Sequence, residues 1–144
     1  MNAKRFSINM ISAINNRGSL RFMLYKETMT ARTLLHFFQR LIKEAGRKVY
    51  LILDNLRVHH AKLVTRWLEK HQNRIEVFYL PPYSPELNPD EYLNGDLKSA
   101  LRHSSPARNQ QELEGKAKSH LRKLQRRNQH VARFLRHPKI CYAA

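Results

Sequence analysis

An apolar strand, Val49-Tyr50-Leu51-Ile52-Leu53, a helical stretch marked by Leu63, Val64, Trp67 and Leu68, and a second strand, Ile75-Glu76-Val77-Phe78-Tyr79-Leu80, follow one another with short links. That order leaves few folds open. Strand, helix, strand with short connections implies a right-handed crossover between parallel strands. The first strand has no polar side-chain atom except the Tyr50 hydroxyl, the pattern of a central strand covered on both faces. Ligands of such sheets bind beyond the carboxyl ends of the strands, and Asp54 stands there.

The second strand runs into Leu80-Pro81-Pro82-Tyr83-Ser84-Pro85-Glu86-Leu87-Asn88-Pro89-Asp90, a loop whose prolines leave it few conformers. It fixes the approach of the next helix. Asn88 is placed as N-cap, Pro89 at the first helical position and Glu91 at the third, with Leu93, Leu97, Ala100 and Leu101 as the apolar stripe. Upstream, residues 6–15 and 20–26 are apolar runs joined by Asn16-Arg17-Gly18-Ser19, a hairpin signal. From Thr30 as N-cap, Leu34, Leu35, Phe37, Phe38, Leu41 and Ile42 recur at helical spacing as far as Gly46. The fold class is therefore α/β.

Beyond Ser104-Ser105-Pro106 the composition changes. Glu114 is the last acidic side chain, and nine of the 25 residues from Gly115 to Lys139 are Lys or Arg. Leu113, Ala117, Leu121 and Leu124 can pack on one side of a helix ended by Pro138, leaving Lys116, Lys118, Arg122, Lys123, Arg126 and Arg127 for solvent or phosphate. Over all 144 residues, 27 Lys and Arg against 11 Asp and Glu give +16, which points to a nucleic acid or an anionic surface as partner, a membrane being the weaker reading. No stretch is long and apolar enough to span a membrane. The lone Cys141 excludes an internal disulfide and a thiolate zinc cluster.

In a chain so poor in acid, Asp54 and Glu91 suit a divalent-cation site, because oxygen ligands match Mg²⁺ and Mn²⁺. Each also has a plainer role. Asp54 can end a strand and cap a turn, and Glu91 can reach back to the Asn88 amide as a capping box. Asp90 suits the helix dipole, Asp96 a solvated surface, Trp67 the core, and His59 and His60 the polar start of a helix.

Leu53-Asp54-Asn55, His59-His60 and the block from Leu80 to Glu91 resemble the catalytic core of mariner-like transposases, most closely their bacterial insertion-sequence relatives of the Asp-Asp-Glu (DDE) superfamily. The resemblance covers at least residues 6–103 and implies a ribonuclease-H-like mixed sheet with flanking helices. It implies a two-metal Mg²⁺ or Mn²⁺ site that hydrolyses phosphodiesters and joins 3′-hydroxyls to target DNA. Asp54 matches the second acid and Glu91 the third. The family's first acid lies on a strand upstream of the hairpin, whereas here the acids before Asp54 are Glu27 and Glu44, neither in a matching place.

The expectation is a catalytic-domain fragment lacking its first central strand. Residues 1–104 form the partial domain and 105–144 a basic helical extension whose Arg122, Lys123, Arg126 and Arg127 contact DNA. Such a fragment is expected to be inactive alone, to pair with a second copy or with a complementing N-terminal half, and to reside on the nucleoid in the bacterial cytoplasm. The rival expectation is a non-catalytic DNA-binding remnant that works through the basic helix. A small RNA-associated protein leaves the proline block unexplained.

Overall fold

The computed structural model describes residues 7–26, 28–54, 56–82, 84–136 and 140. Two compact units divide the chain, Glu27–Asn88 and, from both sides of it in sequence, Met1–Lys26 with Pro89–Ala144. The roles expected of Pro138 and Cys141 fall outside the described residues.

In the unit Glu27–Asn88, Thr30 caps the first helix as its sequence requires. Its hydroxyl accepts from the Thr33 amide at 3.2 Å, satisfying one of the free donors of the first turn. Helix α1 (Ala31–Ala45) buries Leu34, Leu35, Phe37, Phe38, Leu41 and Ile42 and stops at Gly46, whose φ of 66° is left-handed. Strand β3 (Val49–Leu53), a 3-10 turn (Arg57–His60), helix α2 (Lys62–Lys70) and strand β4 (Ile75–Tyr79) complete the crossover. The strands are parallel, with Val49 opposite Ile75 and Leu53 opposite Tyr79. Trp67 lies against Phe38 at 6.0 Å and stacks on His71 at 4.1 Å, the packing role expected of it.

Two expectations fail in this unit. Strand β3 is not covered on both faces: Tyr50 is 65% and Ile52 44% exposed, and Phe78, opposite Ile52, is 50% exposed. Among the described residues β3 pairs with β4 alone. An apolar run shows that a strand can be buried twice over, and only a covering element makes it so. Leu63, assigned to the apolar face of α2, is 48% exposed, while Val64 next to it is fully buried. A nine-residue helix buries a narrower stripe than four apolar side chains could fill.

In the unit formed by the two ends of the sequence, strands β1 (Asn9–Ile14) and β2 (Leu20–Tyr25) make an antiparallel hairpin. Alternation puts Met10 and Ile14 of β1 with Leu20, Phe22 and Leu24 of β2 on one core. Helices α3 (Asp90–Arg102) and α4 (Gln110–Gln125) supply Leu93, Leu97, Ala117, Leu121 and Leu124 to it, and α5 (Asn128–Ala132) adds Val131. Asn109 caps α4, its side chain accepting from the Glu112 amide at 2.8 Å.

The basic segment is not one helix, as expected, but α4, α5 and a 3-10 turn, Arg133–Arg136. Continued past Leu124, the buried stripe of α4 would need an apolar side chain at 128, and the residue there is Asn128. Arg127, at φ −114° and ψ 63°, leaves the helix. Gly18 makes the break fit the hairpin. At φ 83°, it lies so close to residue 128 that a Cβ there would be 1.7 Å from the Asn128 carbonyl oxygen.

Candidate active site

Asp54 follows β3 directly, at the carboxyl end of a parallel pair, and its side chain is 39% exposed. The ladder reaches the residue before it, with the Leu80 amide donating to the Leu53 carbonyl at 2.7 Å. The chain then turns through the 3-10 segment and brings His59 back. The imidazole Nδ1 lies 2.6 Å from the Asp54 carbonyl oxygen and 3.5 Å from Asp54 Oδ1. His59 is 4% exposed, the one buried polar or charged residue among those described. From the other side the Tyr79 hydroxyl donates to the His59 carbonyl at 2.9 Å, and the Tyr79 ring packs on His60 at 4.3 Å. Burial raises the Tyr79 phenol above its ordinary value, so it remains a donor at neutral pH.

Glu91 lies in the first turn of α3 and is exposed. Asn88 is extended (φ −101°, ψ 113°), and the helix starts one residue later than its sequence suggests, with Pro89 (φ −62°, ψ −24°) in the N-cap place without a side-chain cap and Glu91 second in the helix. The capping-box role expected of Glu91 is pre-empted. The Asn88 amide it would accept from donates instead to the Pro85 carbonyl at 3.0 Å, which leaves the Glu91 carboxylate to solvent. Beside it, Asp90 accepts from the Ser12 hydroxyl of β1 at 3.1 Å.

Arg122, Lys123, Arg126 and Arg127 are all exposed, as is Lys118. Lys116, expected among them, is tied down by the Ser105 carbonyl and by Glu112, 3.9 Å away. Asp96, expected to be a solvated acid, is half-buried, with His120 Nε2 at 2.8 Å from one oxygen and His130 Nε2 at 3.5 Å from the other. Asp96 of α3 thus contacts His120 of α4 and lies beside His130 of α5. That cluster was invisible in the sequence, because its members are neighbours only once the basic segment has bent.

The donor chemistry fits a divalent cation in kind. Asp54 and Glu91 offer carboxylate oxygens, which Mg²⁺ and Mn²⁺ prefer to nitrogen. Among the described residues no cluster of three or more His, Cys, Asp or Glu could by itself hold a metal. His59 is not a spare ligand at Nδ1, since that atom is committed to the Asp54 carbonyl.

Two solved structures share this fold. The Mos1 transposase catalytic domain with Raltegravir and Mg has a TM-score of 0.67 at 18% identity, over 94% of this chain and 75% of that one. A crystal structure of the catalytic domain of Mos1 mariner transposase has a TM-score of 0.58 at 18% identity, over 95% and 79%. At that identity the likeness establishes the fold alone, a ribonuclease-H-like one. No curated protein matches the chain. The sequence pattern of the DDE superfamily endonuclease matches residues 2–114, and with Asp54 at the strand end and Glu91 opening α3, the chain belongs to that family.

Proposed function

We propose that the chain supplies two acids, Asp54 and Glu91, to the site of a DNA transposase that cuts phosphodiesters and transfers 3′-hydroxyl ends. One observation carries this reading: Asp54 ends the parallel strand of a crossover inside a DDE superfamily match over residues 2–114. Asp54 and Glu91 would hold Mg²⁺ or Mn²⁺, which when bound activates the attacking oxygen and stabilises the leaving one. The protein's own part is to hold Asp54 at the strand end and to keep Glu91 accessible in the first turn of α3. Residues 1–104 are the catalytic portion in this reading and 105–144 the basic extension.

Two carboxylates are fewer than such a site needs, and in this reading the third is contributed by residues other than these 144. The 144 residues alone should not turn over. A plasmid-nicking assay with Mn²⁺ tests this, and nicking that is abolished by Asp54→Ala would overturn it.

Arg122, Lys123, Arg126 and Arg127 are the phosphate contacts in this reading. Backbone contacts orient the duplex without reading sequence, so DNA affinity should fall steeply with salt and vary little between duplexes. Changing all four to Gln should shrink the slope of log K against log salt by about 3 to 4, at roughly 0.9 per lost contact. A slope unchanged by the fourfold variant would remove the basic segment from the interface. Among the described residues no helix is long and apolar enough to cross a membrane, and a charge of +16 suits residence on nucleoid DNA.

A further inference from the structure

We infer that His59 is the positioning residue of Asp54, an imidazole that fixes the backbone of the acid while leaving its carboxylate open to a cation. The inference rests on the reading of Asp54 as a metal ligand.

A carbonyl oxygen can only accept, so the 2.6 Å contact between His59 Nδ1 and the Asp54 carbonyl assigns the proton to Nδ1. That hydrogen bond spans five residues and closes the turn that follows β3. The Asp54 carboxylate oxygen is farther off, at 3.5 Å, beyond the range of a strong charge-assisted bond. The imidazole therefore holds the main chain at Asp54 and spares the side chain.

The clamp is itself held. His59 is 4% exposed, its amide donates to the Leu56 carbonyl at 3.1 Å, and its carbonyl accepts from Tyr79 at the end of the paired strand. One residue thus joins the ends of β3 and β4. Carboxylates that bind metals depend on such partners for their orientation, and losing one typically costs ten- to a hundredfold in affinity.

The test uses the full 144-residue chain and Mn²⁺ as probe, with binding read by water-proton relaxation and Asp54→Asn as the reference for a lost ligand. His59→Asn keeps an N–H donor close to the position of Nδ1, and it should bind Mn²⁺ within about threefold of the wild type. His59→Ala should weaken Mn²⁺ binding by about tenfold. Far-UV circular dichroism in EDTA confirms that both variants are folded. Nitrogen-15 NMR of the wild-type imidazole reads the tautomer without any metal and should show the proton on Nδ1.

A proton on Nε2, or His59→Ala folded and binding Mn²⁺ as tightly as the wild type, overturns the positioning role. Should His59→Ala not fold, the tautomer and the affinity of His59→Asn decide alone, and a tenfold loss in His59→Asn overturns it too. If the wild type binds Mn²⁺ no better than Asp54→Asn, the metal reading of Asp54 falls, and the inference falls with it even if the Nδ1 proton is found.

Discussion

The two small sheets have similar apolar content and opposite fates. In the β1–β2 hairpin, Met10, Ile14, Leu20, Phe22 and Leu24 all meet a core built by α3, α4 and α5. In the parallel pair the alternate set, Tyr50, Ile52 and Phe78, stands largely exposed. Strand composition is thus a poor guide to burial, because burial depends on whether a helix arrives to cover the face. The exposed face also borders the strand end that carries Asp54, which fits the general pairing of function with incompletely packed surface.

The sharpest way to break the contrast is to open the covered cores. Phe38→Ala in α1 should cost about 3–5 kcal/mol and Leu121→Ala in α4 about 2–5 kcal/mol, since both side chains are fully buried. Denaturant titration checks both, with Trp67 fluorescence reporting the surroundings of Phe38 and circular dichroism reporting α4.

The glycines sharpen it next. Gly18→Ala would drive a Cβ into the Asn128 backbone and should cost about 1–3 kcal/mol beyond the backbone strain. Gly46→Ala meets nothing within 4 Å and should cost only the left-handed strain, about 1–2 kcal/mol. A difference in melting temperature between the two variants, with Gly18→Ala the lower, is the expected outcome.

Alkaline titration gives a smaller effect. Burial raises the phenols of Tyr79 and Tyr25 above the ordinary value of 10.0. A group whose folded-state pKa is raised contributes stability that is complete below the unfolded value and is lost as pH climbs through the folded one. Stability should therefore decline above pH about 10, and Tyr79→Phe should flatten the decline in part, Tyr25 retaining the rest. Ile52→Thr and Phe78→Ser, on the open face, should change stability by no more than about 0.5 kcal/mol and raise solubility. A loss as large as that of Phe38→Ala would mean that the face is covered after all.

Much of this was legible in the sequence, because local chemistry dictated it. Thr30 and Gly46 bracket α1 by capping, Gly18 turns the hairpin at positive φ, and the parallel crossover followed from its order of elements. The same logic put Asp54 just after a strand and Glu91 in the first turn of a helix. What the sequence did not carry were facts of tertiary arrangement. The exposure of Tyr50 and Ile52 depends on the absence of a covering layer. The break after Gln125 depends on one polar residue in an apolar stripe, and the Asp96–His120–His130 cluster depends on that break. His59 was visible as a histidine but not as the partner of Asp54, since nothing local says that a 3-10 turn will carry it back to a carbonyl five residues earlier.

The hairpin and the basic helix belong to one unit although the sequence separates them widely, as in the bond from the Gln125 side chain to the Leu20 carbonyl. On a ribosome the hairpin must therefore wait, its apolar face wet, while the intervening residues emerge. Glu27–Asn88, continuous in sequence, has all its partners far sooner. Loop closure over so long a span is entropically slow to initiate, and the waiting hairpin is the segment on which a chaperone would have most to do during synthesis.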